Sequence, residues 1–404
     1  MPDITRVFLV FVLILALLRS RLSIGVVMMA ASIAIAGLYR MSAEAIFSSA
    51  LEMIQNPVTL KLLASLSLIR TFELILREQQ ILSSMMQKVK ITFGSRRAQI
   101  VSMPLLIGLL PSLGGAYFSA PMVKEAAEGL RISKEEKAFV NYWFRHPWEY
   151  ILPLYPGIML AAAVTGIPLA RIIQLNLAPA VMVVISGFLL SMRKMGESAT
   201  ALSARRDEAQ NVAGWRHFAP IAAVLVIVAL FRVELQYALI MVILPLFIFF
   251  RYPVRSVPRL LMHGFAPQVI LLVAGVMLFK ETLGASGAMA NLSSIFLEKG
   301  LPLFPVLCIL PFVCGLLTGH ALAFVGASFP LILSIGGHEL PSIFLAFASG
   351  FLGVLLSPSH VCLALSREYF SADMAGIYRR IFPAACMLAL VSLAEYFVLL
   401  RITR

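Results

Sequence analysis

Apolar runs of about 15–20 residues recur along this chain, close to the length at which a helix crosses a hydrocarbon core of roughly 30 Å. Ten stand out: Ile4–Leu18, Leu22–Leu38, Pro57–Leu76, Phe139–Val164, Leu169–Met192, Phe218–Phe231, Glu234–Phe250, Phe265–Leu283, Ser342–Leu365 and Ile377–Leu400. In lipid every backbone N–H and C=O must be satisfied within the segment, so such runs are predicted to be helices. A transmembrane barrel would instead alternate apolar and polar residues in strands of about 10, a pattern absent here. Charge agrees with a membrane setting. Only 13% of the 404 residues are charged and 60% are hydrophobic, whereas a soluble chain carries about 25% charged residues. The predicted fold is an all-α polytopic membrane protein. The run Val7–Leu18 is followed by its basic residues, Arg19 and Arg21, whereas a signal peptide carries them in front; it reads as the first span.

Two further apolar stretches differ in kind. Residues 98–121 are interrupted at Pro111-Ser112-Leu113-Gly114-Gly115, and residues 303–333 at Thr318-Gly319-His320. Short arms meeting at a glycine-containing turn describe a re-entrant hairpin, tolerated at membrane depth only when buried in protein or lining a wet cavity. With both taken as hairpins, about 22 of the 33 Lys and Arg fall in cytoplasmic loops, as the positive-inside rule requires. Both termini then lie outside, and the two hairpins enter from opposite faces. Each half reads as three spans, a hairpin and two spans: residues 1–192 and 218–404, joined by a basic cytoplasmic linker at 193–217. An odd number of crossings per half makes the second copy inverted, as in many secondary transporters. Ile107-Gly108-Leu109-Leu110 before the first tip matches Cys314-Gly315-Leu316-Leu317 before the second.

Ionisable residues inside spans cost a few kcal/mol each and mark function by default. The densest group is Asn141-Tyr142-Trp143-Phe144-Arg145-His146-Pro147-Trp148-Glu149-Tyr150. Pro147 cannot donate a backbone hydrogen bond, and its ring clashes with the carbonyl four residues back, so the helix should break there. The second half repeats a proline beside a histidine in Ser357-Pro358-Ser359-His360. Two hairpin tips and two broken helices are thus expected to converge. Helix N-termini beginning at mid-membrane favour an anion, and Arg145 can grip a carboxylate bidentately. Ser112, Gly114, Gly115, Asn141, Arg145, Thr318, Gly319, Ser357 and Ser359 are the candidate solute-binding residues. His146, Glu149, His320 and His360 are candidates for ion coupling, because histidine titrates near neutral pH.

Plainer roles stand beside these. Arg145 pairs readily with Glu149 four residues on, and His146 and Glu149 would also fit at the membrane interface. His320 can be a helix-packing contact, the hydroxyls can bond their own helix, and Trp143, Trp148 and Tyr150 can form an interfacial belt. Arg70 with Glu73, and Lys280 with Glu281, read as structural pairs. The net charge of +13 is explained by loop orientation rather than nucleic acid. Cys308, Cys314, Cys362 and Cys386 show no metal-ligand spacing and read as packing thiols, so no metal or cofactor is expected. There is no H-E-x-x-H, G-x-S-x-G or P-loop lysine motif. An enzyme or an ATP-driven pump is therefore not expected.

The segments Leu110–Pro121 and Asn141–Tyr150 resemble those of an uncharacterised family of ten-span integral membrane proteins. That family is grouped with the ion transporter superfamily, beside gluconate, citrate and divalent-anion symporters. The resemblance implies a scaffold and a mobile elevator-type transport domain, commonly as a dimer, with solute held between the hairpin tips and the unwound helices. The Ser-Asn-Thr tips of the divalent-anion symporters are replaced here by Pro-Ser-Leu-Gly-Gly and Thr-Gly-His, which weakens the case for sodium and favours protons. The expectation is an ion-coupled symporter of a small anionic solute such as an organic acid, in the cell membrane. An inorganic-anion channel or exporter, and a membrane-embedded enzyme on a lipid, are the alternatives.

Overall fold

A computed structural model describes residues 2–20, 22–81, 83–85, 88, 96–111, 115–130, 132–191, 215–300 and 302–403. The first half contains α1 (Asp3–Arg19), α2 (Ile24–Leu38), α3 (Ala43–Gln55), α4 (Pro57–Glu78), α5 (Arg96–Ile107) and α6 (Gly115–Ala126). It continues with α7 (Lys134–Trp143), α8 (Pro147–Ile151), α9 (Pro156–Thr165), α10 (Leu169–Leu175) and α11 (Leu177–Ser191). The second half begins with α12 (Ala219–Ala229), α13 (Leu235–Phe249), α14 (Val257–Gly264), α15 (Pro267–Ala285) and α16 (Ala288–Glu298). It ends with α17 (Leu303–Thr318), α18 (Ala321–Ser334), α19 (Leu340–Leu356), α20 (Val361–Phe370) and α21 (Met374–Thr403). No strand occurs among the described residues. Most of the predicted linker, residues 193–214, lies outside them.

The ten predicted spans are corrected downward. Three described helical stretches are long and apolar enough to cross a membrane: Val254–Ala285 (32 residues), Leu340–Phe370 (31) and Met374–Thr403 (30). A fourth arises if Lys134–Thr165 and Leu169–Leu175, bent by 117°, form one span. The other apolar runs fold short. Helices α2, α11 and α13 have 15 residues each. At about 1.5 Å per residue such a helix is about 22 Å long, less than the roughly 30 Å core. Helix α4 reaches 22 residues but carries Lys61, Arg70 and Glu73. The chain is all-helical, and its apolar helices are compatible with a membrane protein.

Helix boundaries follow local chemistry. Asn56 accepts from the Val58 N–H and Pro57 occupies the first turn of α4, where proline's missing donor costs nothing. Ser42 and Ser133 cap α3 and α7 in the same way. The amphipathic helix α3 was hidden from a reading based on apolar runs.

The packing is reciprocal between the halves. Helix α15 lies against α2 and α3, α4 lies against α13 and α14, and α4 and α15 touch each other. Helices α2 and α15 meet glycine to glycine: a Cβ on Gly25 or Gly275 would run into the facing backbone at Leu271 or Gly25. On the other side Gly264 packs on the Ser67 carbonyl, and the Thr71 hydroxyl donates to the Leu260 carbonyl (3.3 Å). The Asn56 amide donates to Glu281 (3.3 Å) across the centre. Arg77, rather than Arg70, pairs with Glu73 (2.8 Å), while Lys280 and Glu281 are 4.0 Å apart.

Arms α5 and α6 pack on each other, as do α17 and α18, so both predicted hairpins have paired arms. Each first arm holds a proline four residues before its glycine, Pro104 before Gly108 and Pro311 before Gly315. The second arms cross over. Helix α6 lies against α20 of the other half, and α18 against α9.

Candidate site at the two broken helices

The helix that starts at Ser133 stops at Trp143, turns through Phe144–His146 and restarts as α8 with Pro147 at its first position. It breaks again at Leu152–Tyr155, and Pro156 opens α9. In the second half α19 ends at Leu356, Ser357 is extended, and α20 resumes after His360. The breaks fall where the prolines predict them.

The breaks meet. His146 Nε2 and His360 Nε2 are 3.1 Å apart, although the residues are 214 positions distant in sequence, and both are buried. Tyr142 packs edge-on against both rings, and its hydroxyl donates to the Leu355 carbonyl (2.9 Å). A ligand atom of Cys362 lies within 4.8 Å of those of the two histidines. Glu149 Oε1 is 3.7 Å from His146 Nε2.

Arg145, beside this pair, is 3% exposed. Its Nε and Nη1 donate to no acceptor among the described residues. Arg145 and Glu149 make no direct ion pair, although the guanidinium still acts on the carboxyl through space, and Glu149 Oε1 stands closer to His146 (3.7 Å). A buried guanidinium with unmade hydrogen bonds is costly and is the natural counterpart of an anion.

The hairpins supply walls. Gly108 abuts the Arg145 backbone, where a Cβ would come 2.5 Å from its carbonyl oxygen. Tyr155 donates to the Gly108 carbonyl (2.6 Å) and Trp148 to the Leu105 carbonyl (2.6 Å). Gly319, at φ +67°, packs on His360, whose Cα would lie 2.8 Å from an added Cβ. Asn141 ties three elements together. Its amide donates to the Ala116 carbonyl (2.9 Å) and the Ser366 hydroxyl (2.8 Å), and its oxygen accepts from Ser119 (2.6 Å).

Of the predicted solute-binding residues, Asn141, Arg145, Gly319, Ser357 and Ser359 come together at the breaks, with Gly115 heading the neighbouring arm α6. Ser112 and Gly114 lie outside the described residues. Ser357 and Ser359 share a hydrogen bond (3.1 Å), and Ser359 donates to the Leu317 carbonyl (3.2 Å), tying the second break to the second tip. The Thr318 hydroxyl is turned back to its own helix at Cys314 (2.7 Å). His320 is exposed and acts on His360 only through space. Trp143 and Tyr150 are fully buried, with Trp143 donating to the Val183 carbonyl (2.8 Å), so neither forms an interfacial belt. The sequence reading missed Tyr142, Ser366 and Cys362. From sequence the last reads as a packing thiol.

A model of one protein family, described as "Protein of unknown function (DUF401)", matches residues 4–399. No curated protein matches the chain.

Proposed function

The chain belongs to the family described as protein of unknown function (DUF401), and from its site geometry we propose that it is a secondary active transporter of a small anionic solute such as an organic acid. The observation that carries this reading is Arg145: a positive charge buried in protein, with hydrogen bonds left to make, at the meeting of two helix breaks and two hairpins. The helix start after His360 adds N–H groups and a positive dipole end to the same region. His146, His360 and Glu149 stand beside it as the place for a coupling cation.

The reciprocal packing of α4 and α15, and the crossed packing of α6 and α18, support an inverted repeat of residues 1–192 and 218–404. The paired Pro-x-x-x-Gly arms support it further. In this proposal the short helices cross a locally thinned bilayer, giving ten spans and two re-entrant hairpins in the cell membrane with both termini outside. The proposed relationship to the ion transporter superfamily, an elevator-type movement and a homodimer extend the same reading.

The test is uptake into proteoliposomes of sugar acids, dicarboxylates and inorganic anions under imposed ion gradients. Gradient-driven accumulation of one anion, lost in Arg145→Gln, is expected. Absence of gradient-dependent flux for the whole panel, or unchanged apparent affinity in Arg145→Gln, would overturn the proposal.

A further inference from the structure

We propose that His146, His360 and Cys362 form a binding site for a divalent transition-metal ion of the zinc class, with Glu149 as fourth ligand. The site shares His146, His360 and Glu149 with the coupling place proposed above, but it is argued only from which donor atoms the two breaks bring together.

Two imidazole nitrogens and a sulfur lie within 4.8 Å of one another, and a carboxylate oxygen stands 3.7 Å from one of the nitrogens. With Zn–N bonds of about 2.05 Å, the 3.1 Å separation of the two Nε2 atoms corresponds to an N–Zn–N angle of about 98°, near tetrahedral. The donor set of two nitrogens, one sulfur and one oxygen is borderline-soft and suits Zn²⁺ over Mg²⁺ or Ca²⁺, which want oxygen ligands. Cys362 closes the site through a side-chain rotation, because it starts the first turn of α20 just after His360.

A hydrogen bond between the two rings uses the same Nε2 atoms and is the competing arrangement. Both Nδ1 atoms are buried without partners and stay so in either arrangement, so they do not decide between the two. What favours a metal is the convergence of a sulfur and a carboxylate on the paired nitrogens. A metal engages all four donors. Its two positive charges are matched by the Cys362 thiolate and the Glu149 carboxylate, whose two protons go to solvent as the ion binds. Arg145 keeps its own charge for an anion.

The experiment uses full-length protein in lipid nanodiscs titrated with Co²⁺. A near-ultraviolet thiolate-to-cobalt absorption band is expected, saturating at about one ion per chain and displaced by Zn²⁺. The band should vanish in Cys362→Ser and weaken at least tenfold in apparent affinity in His146→Gln or His360→Gln. It should persist when the exposed Cys386 is changed to Ser, and when His217, His263 and His338 are changed to Gln together. No band in the unmodified protein, or a band that survives Cys362→Ser, overturns the proposal. Should Cys362→Ser not fold, zinc-edge X-ray absorption of the unmodified protein decides: one sulfur neighbour at about 2.3 Å supports the site, and none refutes it. Uptake plays no part in either readout, so failure of the transport reading and failure of this one are separable.

Discussion

Replacing Arg145 by Met should make the empty protein more stable while abolishing its response to anions. Arg145 is 3% exposed, and its Nε and Nη1 find no acceptor among the described residues. Each buried donor left unmade costs about 1–3 kcal/mol, so two such nitrogens cost roughly 2–6 kcal/mol in the absence of a ligand. Methionine keeps an unbranched apolar stem and adapts to irregular space without carrying the charge. Unfolding entropy is about 2.1 cal/mol/K per residue. Over 404 residues that is about 0.85 kcal/mol/K, and the relief becomes a rise of about 2–7 °C in melting temperature. A ligand at one hundred times its Kd stabilises the protein that binds it by about 2.7 kcal/mol. The unmodified protein should therefore gain about 3 °C from its anion and the variant nothing. The assay is thermal unfolding in nanodiscs, with and without a panel of anions. An anion-free variant that melts below the unmodified protein, or one that keeps the full anion-induced shift, would refute the reasoning.

Three further outcomes are expected. Gly319→Ala places a Cβ at positive φ, which costs an L-residue about 1–2 kcal/mol, and 2.8 Å from His360 Cα, where overpacking adds about 1–3 kcal/mol. Its melting temperature should fall, and a variant indistinguishable from the unmodified protein would show that the tip does not rest on the second break. Asn141→Leu removes three buried hydrogen bonds joining α6, α7 and α20. At about 1 kcal/mol each plus the partners left unsatisfied, a loss of roughly 3–5 kcal/mol is expected in chemical denaturation. The Glu135 N–H, the Ser133 hydroxyl and the Asp373 N–H hold the Glu135 carboxyl below the usual carboxylate range. Its stabilisation is therefore complete above the unfolded value near 4.3 and lost as pH falls through the lower folded value. Glu135→Gln should flatten that acid limb, and an unchanged limb would remove Glu135 from it.

Much of the site could be read from residue types, because prolines act locally. Pro147 and Pro358 forecast two breaks, Gly319 a turn, and the buried Arg145 an unusual charge, all without knowledge of neighbours. What joined these parts was not local. His146 and His360 are 214 positions apart, and Cys362 acquires partners only when α20 folds against the first half. The place of Glu149 was likewise set by the bend at Pro147, which leaves its carboxylate 3.7 Å from His146. Helix length was overestimated for a related reason. Apolar composition marks where a helix forms but not where it stops: the run Leu169–Met192 is divided at Asn176, and Leu22–Leu38 and Glu234–Phe250 each give a helix of 15 residues.

The interlaced contacts of α4 with α13 and α14, and of α15 with α2 and α3, bear on how the chain is made. When synthesis has reached the linker, α4 still waits for neighbours that have not left the ribosome, and α2 still shows the groove at Gly25 that only α15 can fill. The first half is then an unfinished object. Two fragments divided at the linker should accordingly be degraded when expressed singly and be rescued when expressed together.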